Sequence, residues 1–325
     1  MSYRRLGRSG LAGDALPADN SRHFAIFVRE RVSVLVVSGP ASGLAGNDAG
    51  YYVRAALAAA GPVVRCGAID AEQLDAGQVD RVDAIVLCNV PAVDAVGASA
   101  LRALTVRGGS AVIFVGPDVQ AKAWNALLGP SGGGEAWLPA RLAGPTGPAG
   151  EAGGVLQRVA DDHDLFAGLY EGQGQYRSVL VYRYFRVEPW DDCPGRPIAW
   201  LADGRALLIE KQYPCRAAEA GGVLLCTTTA DAGWTNLPTR PVFAPLLLRA
   251  VLWPARRHLA CASYLEGSRV RLRLSGRGGP PLEVQIPPDA RGRSATLRVQ
   301  PARSGGVAEY VFDETFQPGA YHWRA

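Results

Sequence analysis

The chain has 325 residues, a length that corresponds to roughly two domains, and 48% of them are hydrophobic, which is ample for a buried core. Its 34 basic and 30 acidic residues leave a formal net charge of +4, too dispersed to indicate a nucleic-acid-binding surface. The longest apolar stretch, residues 243–253, contains Arg249 and is shorter than the roughly 20 residues of a membrane span. Residues 1–10 carry arginines without an apolar run behind them, so no signal peptide is predicted either.

The middle of the chain alternates between strand-like and helix-like segments. Residues 32–38 form a short β-branched run ended by Gly39-Pro40, and such nearly continuous hydrophobicity is typical of a strand covered on both faces. Helices are predicted after a cap at Asn47 or Asp48 and over residues 98–106. Further strands are predicted at residues 63–69, 83–88 and 111–115. This order with short connections predicts an α/β fold with a doubly wound, mainly parallel sheet.

The second half of this unit is less regular. Residues 129–154 are rich in Gly, Pro and Ala and are predicted to be a loop or an insertion. The elements predicted after it are antiparallel strands at 178–188, a hairpin at 197–211 with its turn at Asp203-Gly204, a buried strand at 221–229 and a helix at 243–253. The α/β unit is therefore predicted to span residues 32–255.

The two flanks have a different, two-residue period. Apolar and polar residues alternate in 269–275, 282–286 and 295–299, a pattern in which one face is buried and the other is wet. Residues 262–325 are therefore predicted to be a partial β-sandwich whose arginines form a solvated face. Residues 20–31 alternate in the same way, so residues 1–31 are predicted to be the tail of a preceding β element.

Polar residues follow several of the predicted parallel strands. Because ligands of open α/β sheets bind beyond the carboxyl ends of the strands, these ends are expected to converge on one crevice. Its polar candidates are Asn89, Asp118 and Asp231, with Trp234 as a possible wall. In the alternative interpretation, Asp118 and Asp231 cap the following helices and Trp234 packs under a loop.

Sequence signatures of cofactor and metal sites are missing. No G-x-G-x-x-G or G-x-x-x-x-G-K-[ST] phosphate loop follows a strand, and no G-x-S-x-G elbow follows a strand either. Residues 161–164 (Asp-Asp-His-Asp) are predicted to begin a helix, because adjacent residues cannot all face one metal ion. No cofactor and no metal ion are therefore expected.

The six cysteines include no C-x-x-C pair, which argues against a zinc ribbon or a thioredoxin-type motif. Cys66, Cys88 and Cys226 lie in apolar strand-like runs, where a free thiol behaves as a small hydrophobic side chain. Cys193 and Cys215 fall in loop-like sequence and are able to pair in an oxidising environment, so the compartment stays open.

Several phrases of the chain occur in the order found in a known family. They are residues 16–20 (LPADN) leading into the strand at 32–37, residues 85–91 (IVLCNVP), residues 108–116 (GGSAVIFVG), and residues 228–238 (TTADAGWTNLP) before residues 243–246 (FAPL). Residues 14–255 thereby resemble the class I glutamine-amidotransferase-like, flavodoxin-like fold. The resemblance is to the diverged form carried by large bacterial membrane proteins that begin with a BatA-type aerotolerance-regulator region.

The resemblance also implies that the usual catalytic residues are missing. In working amidotransferases the strand corresponding to residues 111–115 ends in a G-x-C-x-G elbow whose cysteine is the nucleophile, and a later His-x-Glu supplies the base and the residue that orients it. Here residues 114–118 read Phe-Val-Gly-Pro-Asp, and no histidine is followed two positions on by glutamate. Acyl transfer from glutamine needs a thiolate with a base within hydrogen-bond reach, so no catalytic residue is assigned. As an alternative, a related hydrolase or amidotransferase would act through Cys88 or Asp118.

The function that this resemblance favours is a non-catalytic binding or scaffolding module with protein partners in a membrane-associated assembly. Full-length proteins of this kind have membrane helices in their N-terminal part, so the chain is expected to be a fragment of a membrane-anchored protein. A third class, a carbohydrate-binding module, is suggested by Trp234, Asp231 and the terminal β element.

Overall fold

A computed structural model of the chain describes most of its residues. The described ranges are 2–10, 21–29, 31–40, 49–130, 134–147, 154–169, 175–214, 221–257, 267–275, 281–288, 292–304 and 307–324. The predicted helix cap at Asn47 or Asp48, the phrase at residues 16–20 and Cys215 lie outside these ranges. The chain divides into two compact units, residues 30–258 and residues 1–29 with 259–325.

The described elements are numbered in chain order. The strands are β1 (Ser2–Gly10), β2 (Ser21–Arg29), β3 (Val32–Ser38), β4 (Val64–Asp70), β5 (Ala84–Cys88), β6 (Ser110–Phe114), β7 (Arg141–Thr146), β8 (Leu156–Val159), β9 (Tyr184–Glu188), β10 (Arg196–Leu201), β11 (Ala206–Tyr213), β12 (Gly221–Cys226), β13 (Val270–Ser275), β14 (Leu282–Gln285), β15 (Thr296–Val299), β16 (Pro301–Ser304), β17 (Val307–Phe312) and β18 (His322–Arg324). The α-helices are α1 (Ala49–Ala58), α2 (Ala76–Asp80), α3 (Ala95–Val106), α4 (Ala121–Leu128) and α5 (Phe243–Arg257). Short 3-10 helices lie at Gly61–Val63, Ala71–Gln73, Gln175–Ser178 and Leu237–Thr239.

An eight-stranded sheet forms the centre of the larger unit, in the order β4-β3-β5-β6-β12-β11-β10-β8. The first five strands are parallel to one another, and the last three continue the sheet in antiparallel fashion. The predicted α/β fold with a mainly parallel sheet is confirmed at this level. The predicted hairpin at residues 197–211 is also confirmed, since β10 and β11 pair across a turn in which Gly204 has a φ of 80°.

Hydrophobic side chains project from both faces of the sheet and pack against helices there. In β3, Val34 and Val36 belong to a core cluster that contains Leu57 of α1 and Leu247 of α5. The intervening residues of β3 belong to a second cluster that contains Trp124 of α4. The two clusters explain why the predicted strands are almost continuously hydrophobic, because a strand covered on both faces has no side that tolerates water.

The region after residue 129 differs from the prediction. Of the predicted strand at 178–188, only residues 184–188 form a regular strand, and this strand, β9, pairs with β7 in a separate two-stranded sheet. β7 itself lies inside the predicted Gly/Pro-rich insertion. Its Gly144 has a φ of 125° and interrupts the register of pairing, and Pro145 has no backbone N–H to donate to a ladder, so local composition concealed the strand.

The smaller unit consists of antiparallel strands in its described part. β1 and β2 form a hairpin, and two three-stranded sheets have the orders β13-β17-β16 and β15-β14-β18. Side chains from both three-stranded sheets share one hydrophobic cluster, which includes Val284 of β14 and the fully buried Tyr310 of β17. This shared cluster explains the two-residue period of the C-terminal sequence. None of the helices in the described ranges combines the length and the hydropathy that crossing a membrane requires.

Candidate functional site

The carboxyl end of β5 lies in the middle of the parallel strands and carries Asn89 directly after Cys88. Asn89 has a φ of 51°, in the left-handed region, where asparagine is tolerated better than most residues with a Cβ atom. Its backbone N–H donates to the Phe114 carbonyl of β6 at 2.9 Å, and the Gly39 N–H donates to the Cys88 carbonyl at 2.8 Å. These bonds hold the ends of β3, β5 and β6 together.

The structure joins two of the predicted site residues, Asn89 and Asp118. The Asn89 Nδ2 group donates to Asp118 Oδ2 at 2.7 Å, and the Asp118 backbone N–H donates to Asn89 Oδ1 at 3.0 Å. Asn89 is 7% exposed, whereas Asp118 is exposed. Helix α4 has Gln120 at its N-cap, so the alternative that Asp118 caps the following helix is wrong.

Two glycines make room for Asn89. A Cβ atom at Gly116 would lie 2.3 Å from Asn89 Oδ1, and one at Gly39 would lie 1.8 Å from the Asn89 backbone oxygen. Neither position accepts a side chain while Asn89 keeps this conformation. Asn89, which is hydrogen-bonded to Asp118, therefore fills the space between the turns after β3 and β6.

Asp231 organises the loop after β12. Its Oδ1 accepts hydrogen bonds from the Thr229 hydroxyl at 2.9 Å and from the Gly233 N–H at 2.7 Å. Asp231 is 7% exposed, and the loop continues into the short 3-10 helix at Leu237–Thr239, whose N-cap is Asn236. The alternative that Asp231 caps the following helix is therefore wrong, because its bonds close a turn of the loop.

Trp234 is buried in the core cluster on the α3 and α4 side of the sheet. Its side chain is 6% exposed and stacks on Phe185 with ring centroids 6.1 Å apart and planes at 27°. The Arg183 guanidinium lies 5.7 Å from the Trp234 ring centroid, and the Tyr182 N–H donates to the Trp234 carbonyl at 2.7 Å. The indole packs under residues 182–185, as in the alternative interpretation of this residue.

The cysteines have different environments. Cys88 and Cys226 are fully buried in the cluster that faces α1 and α5, and burial raises the pKa of Cys226 to about 12. Cys66 of β4 is exposed, and its pKa is raised by partial desolvation, which the nearby Arg54 opposes. Cys193 is disulfide-bonded.

Sequence reasoning missed two buried charged residues in β11. Glu210 Oε2 lies 2.8 Å from His163 Nε2, and both side chains are about nine-tenths buried or more. The Leu165 N–H donates to His163 Nδ1 at 3.2 Å, so the predicted helix start at residues 161–164 is wrong: these residues form a turn around a buried imidazole. The signal was present as two adjacent charged residues in an otherwise apolar strand pattern.

Lys211, the neighbour of Glu210, points to the opposite face of the sheet. Its Nζ donates to the Ala136 carbonyl, and burial lowers the pKa of this lysine, an effect that Glu135 and Asp192 partly offset. In the described part of the chain, no group of three or more His, Cys, Asp or Glu side chains is arranged to hold a metal ion.

Comparison with known proteins gives only distant similarities. No protein-family model and no curated protein sequence matches the chain. Among solved structures, a β-galactosidase from the Antarctic haloarchaeon Halorubrum lacusprofundi is similar over 87% of this chain and 40% of its own, with 16% identity and a TM-score of 0.41. A β-galactosidase from Bacillus circulans sp. alkalophilus is similar over 89% and 42%, with 10% identity and a TM-score of 0.43.

The N-terminal domain of mmIFT52 is similar over 68% of this chain and 96% of its own, with 9% identity and a TM-score of 0.40. The chain spans about two fifths of the length of the two β-galactosidases. TM-scores of this size assign neither a fold family nor an activity, so the function has to be argued from the residues of the chain.

Proposed function

We propose that residues 32–255 are a catalytically degenerate, class I glutamine-amidotransferase-like domain that acts as a binding or scaffolding module. The strand order supports this family. Numbered along the chain, the five parallel strands of the sheet run 2-1-3-4-5, which is the flavodoxin-like order, and helices cover both faces. The switch point of this order lies between β3 and β5, where Gly39 and Asn89 meet.

The observation that carries the proposal is how the turn after β6 is filled. An amidotransferase of this class presents its nucleophilic cysteine at that turn. Here Asn89 occupies the space beside Gly116, and its amide is bonded to Asp118. The thiols near this turn in the described ranges are Cys88 and Cys226, at the ends of the two strands that flank β6, and both side chains are fully buried. A thiol that neither solvent nor substrate reaches does not act as a nucleophile.

A binding role fits the same geometry better. Asn89 Nδ2 donates to the Asp118 carboxylate, Asn89 Oδ1 accepts from the Asp118 backbone N–H, and Asp118 stays exposed. A carboxylate held rigidly at a strand end is a preorganised acceptor for N–H donors of a partner, because little side-chain freedom is lost on binding. The partner in this proposal is a protein of a membrane-associated bacterial assembly, as the resemblance to BatA-type proteins implies.

The two alternative functions receive less support. An enzyme acting through Cys88 requires a thiol that opens to solvent, and this one lies inside the core. A carbohydrate-binding module built on Trp234 requires an exposed ring face, and Phe185 covers this ring.

Two measurements on the purified chain test the proposal. We expect no release of ammonia from glutamine, and we expect an alkylating agent at neutral pH to label exposed Cys66 while Cys88 and Cys226 react only after unfolding. Cys66→Ser is the control that assigns the fast label. Glutamine-dependent ammonia release that Cys88→Ser abolishes and Cys66→Ser leaves unchanged would refute the non-catalytic assignment.

The binding role is tested with a charge reversal at the exposed carboxylate. We expect Asp118→Lys to lose a protein that the wild-type chain retains from solubilised bacterial membranes, because the acceptor has become a repelling cation. Glu188→Lys, a charge reversal at another exposed carboxylate, in β9, is the matched control and should retain it. Equal retention by wild type and both variants would contradict a role for Asp118.

A further inference from the structure

The Asp118 carboxylate has one oxygen atom bonded within the chain and one that is open. Asn89 Nδ2 donates to Oδ2 at 2.7 Å, and the Asp118 backbone N–H donates in turn to Asn89 Oδ1. Among the described residues, none donates a hydrogen bond to Asp118 Oδ1, and Asp118 is exposed. A carboxylate offers about four acceptor positions, and Asn89 uses one of them. The remaining positions are open to a donor from another molecule.

In the described ranges no cation of the chain pairs with this carboxylate. The two turns that meet at Asp118, residues 89–94 and 115–120, contain neither lysine nor arginine. Other exposed carboxylates are compensated, each by an arginine nitrogen at 2.7 to 3.7 Å. They are Asp80, Asp162, Asp313 and Glu283, paired with Arg107, Arg196, Arg269 and Arg298 in that order. Asp118 is therefore a fixed acceptor whose counter-charge has to come from a partner.

The surface beside Asp118 carries two proline rings. Pro117 directly precedes Asp118 and is exposed, and Pro91 is held against the same turn because its carbonyl accepts the Gln120 N–H at 2.8 Å. An arginine guanidinium is planar and more weakly hydrated than a lysine ammonium, so contact with an apolar surface costs it less. Its N–H groups also form a fork that matches the two oxygens of a carboxylate. Both properties favour arginine over lysine as the group that meets Asp118.

We propose that the protein partner binds Asp118 through an arginine side chain. The guanidinium donates to the open Oδ1 and to the acceptor position that Asn89 leaves on Oδ2, and the aliphatic stem lies against Pro91 and Pro117. Because Asn89 already orients the carboxylate, little side-chain freedom is lost when the contact forms. This inference rests on the binding role proposed above for Asp118 and adds the chemistry of the contact.

Nuclear magnetic resonance titration of the full, isotope-labelled chain with two capped tripeptides tests the proposal. The probes are acetyl-Gly-Arg-Gly-amide and acetyl-Gly-Lys-Gly-amide, compared at constant ionic strength. The side-chain amide of Asn89 is the reporter, because it donates to the same carboxylate that the probe would bind. We expect the arginine probe to shift this signal with a dissociation constant roughly fivefold lower than that of the lysine probe, since both carry one positive charge and only the guanidinium presents a fork.

Two variants serve as controls for this titration. Asp118→Asn removes the charge and keeps nearly the same shape, so it should abolish the shift that the arginine probe causes. Glu188→Gln, at another exposed carboxylate, in β9, is the matched control and should leave the dissociation constant unchanged. The backbone amide signals of the same spectra show whether each variant is folded.

Three results would overturn the inference. Equal dissociation constants for the two probes would contradict recognition of a guanidinium, and a shift that persists in Asp118→Asn would remove Asp118 as the acceptor. The absence of a shift with either probe would do the same. Each result is distinguishable from a failure of the binding role itself. If Asp118→Lys loses a membrane protein that the wild-type chain retains, while the arginine probe binds no better than the lysine probe, Asp118 takes part in binding through another kind of donor.

Discussion

Strands β12 and β11 are neighbours in one sheet, yet they reach burial in different ways. Every residue of β12 is buried and none is charged, as is also the case for β5 and β6 in the parallel half. In β11, the first antiparallel strand, Glu210 and Lys211 are buried opposite Leu224 and Val223 of β12. The parallel half excludes water with apolar side chains, whereas β11 carries two charged groups into the core.

The difference follows from what covers each half. The helices on both faces offer the parallel strands mainly apolar side chains, so a charge there would have no charged partner. Over β11 the chain supplies polar groups instead, namely His163 from a turn on one face and the Ala136 carbonyl on the other. A strand can therefore bury charged residues where irregular segments cover it. Three substitutions probe this contrast, and a fourth probes the hydrogen bond between Tyr184 of β9 and Asp203 in the turn before β11.

The largest effect is expected in the parallel half. Ile113→Ala in β6 should lower the free energy of unfolding by about 4 kcal/mol, because it removes apolar contacts and leaves a cavity between the sheet and the helices that cover this face. Chemical denaturation measures this change. Val106→Ala, at a position 55% exposed, is the control and should change the free energy by less than about 0.5 kcal/mol. A similar loss in both variants would contradict the burial difference.

A somewhat smaller effect is expected when the buried pair in β11 is broken. Glu210→Ala should cost about 3 kcal/mol of unfolding free energy, because His163 keeps a buried polar nitrogen without its acceptor. Replacing both partners, by Glu210→Leu with His163→Leu, should cost less than the sum of the single changes, and a double-mutant cycle measures the difference. Additive losses would contradict a direct pair. Glu188→Ala in β9 is the exposed control.

Tyr184→Phe should lower the free energy of unfolding by about 1 kcal/mol at neutral pH, because it removes a hydrogen bond. The Tyr184 hydroxyl donates to Asp203 Oδ2 at 2.6 Å. Burial, helped by this hydrogen bond, raises the pKa of Tyr184 from 10.0 to about 12. A raised folded-state pKa gives stability that is complete below pH 10.0 and is lost as the pH rises through about 12. Denaturation across this window should show the loss in wild type and not in Tyr184→Phe, and parallel curves would contradict the assignment.

The smallest effect is expected at Lys211, as a change in the slope of the unfolding free energy against pH. Burial lowers the pKa of this lysine below its unfolded value of 10.5, so the unfolded chain binds more protons than the folded chain just below that pH. Unfolding free energy should therefore rise with pH in this window for wild type relative to Lys211→Met. Lys122→Met in α4, outside the buried set, is the control and should keep the wild-type slope. A wild-type slope in Lys211→Met would show that Lys211 is solvated.

The amino-acid sequence by itself determined the parallel core and the meeting of Asn89 with Asp118. Continuous apolar runs ended by glycine and proline are local signals, and the carboxyl ends of neighbouring parallel strands must share one edge. The sequence did not reveal that Asn89 fills the space beside Gly116, because a contact between residues of different loops leaves no local sequence pattern.

Only the tertiary structure decided the antiparallel half. His163 and Glu210 are 47 positions apart in the chain, and each looks like a surface residue until the other is placed beside it. In the same way, β7 resembles a loop by composition and becomes a strand because β9 supplies its ladder of hydrogen bonds. Hydrophobic periodicity is a local property of the sequence. The partner of a buried polar group or of an edge strand, in contrast, depends on folding that brings distant segments together.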